Sequence, residues 1–161
     1  MKVFATDPTT PEAECVLAHS CAFLEARFPP ERRFRLGVKD LGAQNVTFFL
    51  AEEEGMAVGC AAFVHQCEEW GQLKSMYVAP AARGSGAAQM LLDAVEAQAR
   101  QAGVERLRVE TCTGLEAAER FYAKNGFGQV GSVTSRSDGQ PCTVYEKNLA
   151  PELVGAEVAA R

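Results

Sequence analysis

The chain has 161 residues, of which 47% are hydrophobic and 23% charged, a composition typical of one soluble globular domain. Its formal net charge of −5 disfavours a nucleic-acid partner, because binding to a phosphate backbone requires a basic face. No apolar run approaches the roughly 18 residues of a membrane span, and acids and prolines interrupt the N-terminus where a signal peptide would be apolar. These features predict a cytoplasmic protein without a membrane partner.

A helix is predicted near the N-terminus, where Thr9 or Thr10 can cap the first turn and Pro11 is a favourable early residue. Apolar residues then recur at helical spacing along one face. They are Leu17, Cys21, Leu24 and Phe28. The next segment is basic, and a short second helix is predicted within about 33–43.

Strands are predicted next. The β-prone runs 46–51 and 56–65 are separated by Glu53-Glu54-Gly55, which is typical of a hairpin turn. Gly71 marks the entry to a third strand, which covers 73–78 and ends before Pro80.

The next segment has the features of an anion site. An apolar stripe from Ala88 to Ala102 predicts a helix that stops at Gly103. The junction before it reads Arg83-Gly84-Ser85-Gly86-Ala87-Ala88. The first N–H groups of a helix have no intrahelical partner, and small residues let a ligand reach them. Such a junction suits a pyrophosphate, and Arg83 can add a forked cation, although a simple tight turn would also need glycines.

The last third of the chain continues the alternation of strands and helices. A strand over 106–112 follows a right-handed crossover, so it should lie parallel to the 73–78 strand. Thr113-x-x-Glu116 is a potential capping box for a helix that reaches about Asn125. Two final strands, 127–134 and 142–147, are predicted to be joined by a turn at 138–141.

Three motifs in order resemble the GNAT superfamily of N-acetyltransferases. They are Tyr77-Val78-Ala79-Pro80, Arg83-x-x-Gly86-x-Ala88 and Ala118-x-x-Phe121-Tyr122-x-x-x-Gly126-Phe127. The resemblance covers about 47–149 and implies an α/β (α+β) fold. Its mixed, mostly antiparallel sheet would have six to seven strands, a central parallel pair and about four flanking helices. We therefore expect one acetyltransferase domain over 1–149 and a tail over 150–161.

The resemblance also implies a function and a site. Acetyl-CoA would be the co-substrate, the acceptor would be a primary amine of a small molecule, and a homodimer would be common. Tyr122 matches the tyrosine that usually serves as general acid, although it could instead be a packing residue. Arg27, Arg32, Arg33 and Arg35 lie where the acceptor site is built, although a solvated basic surface is an alternative. The expected coenzyme-binding residues are Met76, Tyr77, Val78, Arg83, Gly84, Ser85, Gly86, Ala87 and Ala88.

Two positions depart from the family pattern. Gln72 stands where related proteins commonly carry a glutamate base, and Leu115 replaces an asparagine that contacts the coenzyme. Other carboxylates could act as the base, and Glu110 is preferred over Glu68 and Glu69 because it lies on the strand beside the predicted cofactor groove. A covalent route through Cys112 is conceivable, but a buried structural thiol fits its strand position better.

Two other function classes remain open from the sequence. Gly84-x-Gly86 followed by Glu110 resembles part of a dinucleotide-binding fingerprint, but Gln89 occupies the place of its third glycine. A non-catalytic acyl-CoA sensor would explain the departures at Gln72 and Leu115. The six cysteines include no CxxC pair, so buried free thiols are expected and no metal site is predicted.

Overall fold

The computed structural model describes residues 1–28, 37–112, 115–134 and 141–149, and a single mixed sheet runs through them. Its seven strands are β1 (Lys2–Ala5), β2 (Val46–Glu53), β3 (Met56–His65), β4 (Trp70–Val78), β5 (Arg106–Cys112), β6 (Gly128–Thr134) and β7 (Pro141–Asn148). The strand order is β1-β2-β3-β4-β5-β7-β6, and β4 and β5 form the parallel pair within otherwise antiparallel pairing. This architecture confirms the fold class expected from the sequence.

Helices cover both faces of the sheet: α1 (Pro11–Arg27), α2 (Val38–Leu41), α3 (Ala87–Gln101) and α4 (Glu116–Lys124). On one face, α3 buries an apolar stripe that includes Leu91, Leu92 and Val95, and Tyr122 of α4 joins the same cluster. On the other face, α1 and α2 pack through Ala13, Val16 and Leu41. No helix in the described ranges is long and apolar enough to cross a bilayer.

An irregularity in β4 shapes the centre of the sheet. Ala62 of β3 pairs with Lys74, whereas Cys60 pairs with Tyr77, so β4 carries an extra residue between these pairs. Ser75 lies within this β-bulge at a φ of 53°. The bulge inverts the alternation of side chains: Leu73 packs on the α3 side, but Tyr77, four residues later, packs on the α1 side.

Several local expectations are confirmed. The Thr10 hydroxyl accepts a hydrogen bond from the Ala13 amide at 3.3 Å, and the helix that Thr10 caps begins at Pro11. The hairpin between β2 and β3 turns through Glu54 and Gly55, both at positive φ. The short helix α2 and the parallel placement of β5 also agree with the sequence.

Other expectations are wrong. The strand β1 was not predicted, because its four residues carry no long pattern and are defined by their pairing with β2. The apolar face of α1 agrees with the prediction only in part: Leu17 packs against the same cluster as the buried Ala13 and Val16, whereas Cys21 and Leu24 of the predicted stripe line a cleft. Among the described cysteines Cys60 is buried, but Cys15 and Cys67 are exposed.

The start of α4 and the last turn also differ from the expectation. Helix α4 has Leu115 as its N-cap residue, without a side-chain hydrogen bond, so a capping box centred on Thr113 is not its start. Residues 113–114 and 135–140 lie outside the described part, which includes most of the predicted 138–141 turn. Pro141 begins β7 instead of closing that turn.

We predict that Gly71→Ala destabilises the protein by about 1–3 kcal/mol, because overpacking a core typically costs that much. A Cβ at Gly71 would lie 2.8 Å from Cζ of Phe63 and 3.1 Å from the Val64 carbonyl oxygen, and the Phe63 ring is itself buried. The measurement is the free energy of unfolding in urea. Gly128→Ala in β6 is the matched control, since its Cβ would meet no atom within 4 Å. Equal stability of the two variants would contradict the close approach of the ring.

Candidate active site

A cleft opens where the parallel pairing of β4 and β5 ends. The last paired residues are Leu73 and Val109, yet β4 continues to Val78 and β5 to Cys112. Beyond this pair, the backbone groups of β4 that point towards β5 have no partner in that strand. The cavity between and around the separated strands has a volume of about 1630 Å³ and is lined from both faces of the sheet.

The loop between β4 and α3 forms one end of this cleft. Gly84 and Gly86 adopt φ values of 83° and 91°, and a Cβ at either position would meet nothing within 4 Å. None of the described residues accepts a hydrogen bond from the backbone amides of Gly84, Gly86 or Ala88. These amides, together with the positive end of the α3 dipole, form an open anion cradle.

Arg83 extends towards α1 at the mouth of the cleft. Its guanidinium carbon lies 5.1 Å from the ring centroid of Phe23, and that of Arg27 lies 3.8 Å from the same ring. Phe23 in turn packs edge-to-face on Tyr77 at a centroid distance of 6.0 Å. The aromatic ring therefore holds two cations beside the cradle through cation–π contacts, each worth about 0.5–1 kcal/mol at an exposed site.

Tyr122 lies on the α3 side of the cleft. Only 3% of the residue is exposed, and its ring packs at centroid distances of 5.5 Å on Phe121, 5.5 Å on Phe127 and 6.4 Å on Tyr145. It also contributes to the cleft wall. Desolvation raises the pKa of the Tyr122 phenol well above its ordinary value of 10.0, because burial disfavours the phenolate. The hydroxyl therefore stays a proton donor throughout the neutral range.

Glu110 lies on the opposite side of the cleft, because successive residues of β5 face opposite sides of the sheet and Val109 packs towards α3. Its carboxylate is 4.0 Å from the Lys74 ammonium, and the two side chains are 27% and 18% exposed. Next to them, the buried Gln72 accepts a hydrogen bond of 2.8 Å from the Gln66 amide. These groups make a polar floor on the α1 side.

The structure brings most of the predicted site residues together. Ser85 turns its hydroxyl back to the Ala82 carbonyl, whereas the other expected coenzyme-binding residues line the cleft: Met76, Tyr77, Val78, Arg83, Gly84, Gly86, Ala87 and Ala88. Tyr122 and Glu110 line it too. Arg32, Arg33 and Arg35 lie outside the described residues, as does the side chain of Cys112.

The alternative bases Glu68 and Glu69 are on the surface. Both residues are exposed and neither lines the cleft, and Glu69 pairs with Arg106 at 3.4 Å. Leu115 does line the cleft, as an apolar residue at the start of α4. Among the described residues no group of acidic, histidine or cysteine side chains could hold a metal ion.

Several cleft residues were not identified from the sequence, among them the polar residues Gln66, Lys74 and Thr111. A signal for Lys74 was present, because Gln72 and Lys74 are polar at alternate positions of a strand that is otherwise largely apolar. No comparable signal identifies Gln66, which follows β3, or Thr111, whose place in the cleft depends on the separation of β4 from β5.

Comparison with known proteins agrees with this geometry. Residues 14–127 match the model of the acetyltransferase (GNAT) family. An IAA acetyltransferase from Azospirillum brasilense is 35% identical over 68% of this chain and 72% of its own length. An aminoalkylphosphonate N-acetyltransferase from Salmonella typhimurium is 31% identical over 75% of this chain and 82% of its own.

A solved structure gives the same result for the fold. A Klebsiella pneumoniae protein assigned as an acyl-CoA N-acyltransferase superposes with a TM-score of 0.70 at 29% identity, over 92% of this chain and 97% of that chain. The cradle, the separated parallel strands and the matched segment confirm the resemblance seen in the sequence motifs. The chain therefore belongs to the acetyltransferase (GNAT) family and is an acyltransferase enzyme.

Proposed function

We propose that this protein transfers an acetyl group from acetyl-CoA to the primary amine of a small molecule by direct attack. The observation that carries the proposal is the cleft between β4 and β5, which has an open amide cradle at one end and a buried tyrosine in its wall. The names of the relatives support N-acetylation, and the name of the Klebsiella protein supports an acyl-CoA donor.

The cradle suits the pyrophosphate of coenzyme A. The amides of Gly84, Gly86 and Ala88 would bind its oxygens, and Arg83 would add a forked cation. The thioester-bearing arm would then lie between the separated strands, where the backbone of Met76, Tyr77 and Val78 can bind amide groups as a neighbouring strand would. Ala87 and Ser85 would shape the cradle without contributing charge.

We propose that two side chains of the cleft transfer protons. Acetyl-CoA would supply an activated thioester. Glu110 would accept the proton of the attacking amine from the α1 side, and Tyr122 would donate a proton to the departing sulfur from the α3 side. The two groups lie on opposite faces of the sheet. This arrangement would let the base act on the attacking amine from one side of the thioester carbon while the acid acts on the leaving sulfur from the other side.

We therefore predict that Glu110→Gln lowers kcat with every amine, whereas Glu69→Gln leaves kcat unchanged.

The acceptor would enter from the α1 side. Arg32, Arg33 and Arg35 remain proposed to bind a carboxylate of the acceptor, and Arg27 and Lys74 add positive charge on the same side among the described residues. The Salmonella relative is named for amines that carry a phosphonate anion.

We also propose that the enzyme is cytoplasmic, that it can form a homodimer, and that it has no nucleic-acid or membrane partner.

Release of coenzyme A from acetyl-CoA across amino acids, polyamines, aminoglycosides and peptides tests this function. Acetyl-CoA should raise Tm, and at least one amine should be acetylated. Stabilisation without turnover on any amine would favour the acyl-CoA sensor. Stabilisation by a nicotinamide dinucleotide, without an effect of acetyl-CoA, would favour the oxidoreductase.

We predict that Gly86→Asp abolishes acetyl-CoA binding in a folded protein, because the new carboxylate would face the pyrophosphate. Isothermal titration with acetyl-CoA is the measurement. Gly103→Asp is the matched control: Gly103 follows the other end of α3, also has a positive φ of 81°, and has no atom within 4 Å of its Cβ position. It should bear similar backbone strain and keep full affinity. Unchanged affinity of Gly86→Asp would remove the cradle from the proposal.

We predict that Tyr122→Phe lowers kcat by about 10²–10⁴-fold and leaves the Kd for acetyl-CoA nearly unchanged, because a general acid acts in the transition state. Because burial raises the pKa of Tyr122, no loss of activity from its ionisation should appear below about pH 10 in the wild type. Tyr145→Phe is the control, since Tyr145 packs beside Tyr122 but does not line the cleft. Wild-type kcat in the Tyr122→Phe variant, under conditions in which chemistry limits the rate, would leave Tyr122 as a packing residue.

A further inference from the structure

Thr111 of β5 contributes to the cleft wall but plays no part in the mechanism described above. The residue is 7% exposed, and its hydroxyl oxygen is buried without a hydrogen-bond partner among the described residues. The only other such side-chain atom in the described part is Nε2 of His65, which lies away from the cleft. An unpaired buried hydroxyl destabilises a fold, so a partner that arrives with a ligand would account for its position.

The place of Thr111 in the sheet determines which ligand can reach it. It follows Val109, the last residue of β5 paired with β4, by two positions. Residues two apart on a strand share a face, so Thr111 faces the α3 side with Val109 and Tyr122. This is the side of the cradle and of the proposed general acid, whereas the polar floor around Glu110 is on the other side.

We propose that the Thr111 hydroxyl donates a hydrogen bond to a carbonyl oxygen of the acyl donor, on the thioester-bearing arm that lies between β4 and β5. The inference rests on the proposed function. The hydroxyl oxygen itself is shielded, but Thr111 lines the cleft, so a change of rotamer about the Cα–Cβ bond would direct the hydroxyl towards a ligand there. The carbonyl is either that of the thioester or that of an amide in the pantetheine, and both have the same acceptor chemistry.

Two substitutions at this position separate the hydroxyl from the shape of the side chain. Thr111→Val keeps the shape and removes the hydroxyl, and Thr111→Ser keeps the hydroxyl. Thr143→Val is the matched control, since Thr143 pairs with Thr111 across β5 and β7, is similarly buried, and does not line the cleft. The measurements are Tm of the free protein, and Kd for acetyl-CoA and for coenzyme A by isothermal titration.

We expect Thr111→Val to keep or raise Tm in the free protein and to weaken acetyl-CoA binding by roughly three- to tenfold, the range of one neutral hydrogen bond. Thr111→Ser and Thr143→Val should bind within about twofold of wild type. A loss with acetyl-CoA alone would assign the thioester carbonyl, and a loss with both ligands would assign a pantetheine amide. Both results support the proposal.

Two results would overturn it. Wild-type affinity of Thr111→Val for both ligands would show that the hydroxyl makes no bond to the donor. A Tm several degrees lower in Thr111→Val would show that the hydroxyl has a protein partner and is structural. Failure of the wild-type protein to bind either ligand is distinguishable from both results, since it rejects the proposed function and this inference with it.

Discussion

Hydrogen bonding between β4 and β5 stops at the Leu73–Val109 pair, and the rest of the site depends on that limit. A parallel pair that continued to the ends of both strands would satisfy the backbone and close the sheet. The bulge at Ser75 inverts the side-chain alternation of β4 just past this pair, so Met76 and Val78 face α3 while Tyr77 faces α1. Strand β4 thus presents side chains to both faces of the sheet. Its backbone groups beyond Leu73 that point towards β5 lie between these two faces and have no partner in β5.

The cleft has an electrostatic character that differs from that of the chain. The protein carries a formal net charge of −5, yet Arg83 and Arg27 meet on the Phe23 ring at the cleft mouth. A polyanion would therefore be attracted at short range by these cations and by the amides of the cradle, and not by the field of the whole molecule. The carboxylate of Glu110 also lies on the α1 side of the sheet, where the Lys74 ammonium offsets its charge.

Much of the fold was predictable because its elements carry local patterns. The α3 stripe, the Glu54-Gly55 hairpin and the glycines before α3 each have a physical reason that is visible in a few consecutive residues. The strand β1 was not predictable in this way, because only pairing with β2 makes it a strand. The apolar face of α1 was predicted only in part, because Leu24 has the spacing of a core residue but lines the cleft.

The candidate site was predictable where it is contiguous in the chain and unpredictable where it depends on pairing between distant strands. Gly84, Gly86 and Tyr122 were found through local motifs, and the structure places all three on the cleft. Thr111 lies on a strand whose register with β4 and separation from it set its neighbours, and no spacing within one segment encodes that relation.

The attachment of α1 has a consequence for local dynamics. Its N-terminal half is fixed to the sheet by Ala13 and Val16, but its C-terminal half contacts the rest of the protein through half-buried side chains such as Phe23. Helices with few buried apolar contacts open at a lower free energy than core elements, so amide hydrogens near Phe23 should exchange faster than those of α3. Because Phe23 also holds Arg83, an opening of this half-helix would release a cation at the cradle.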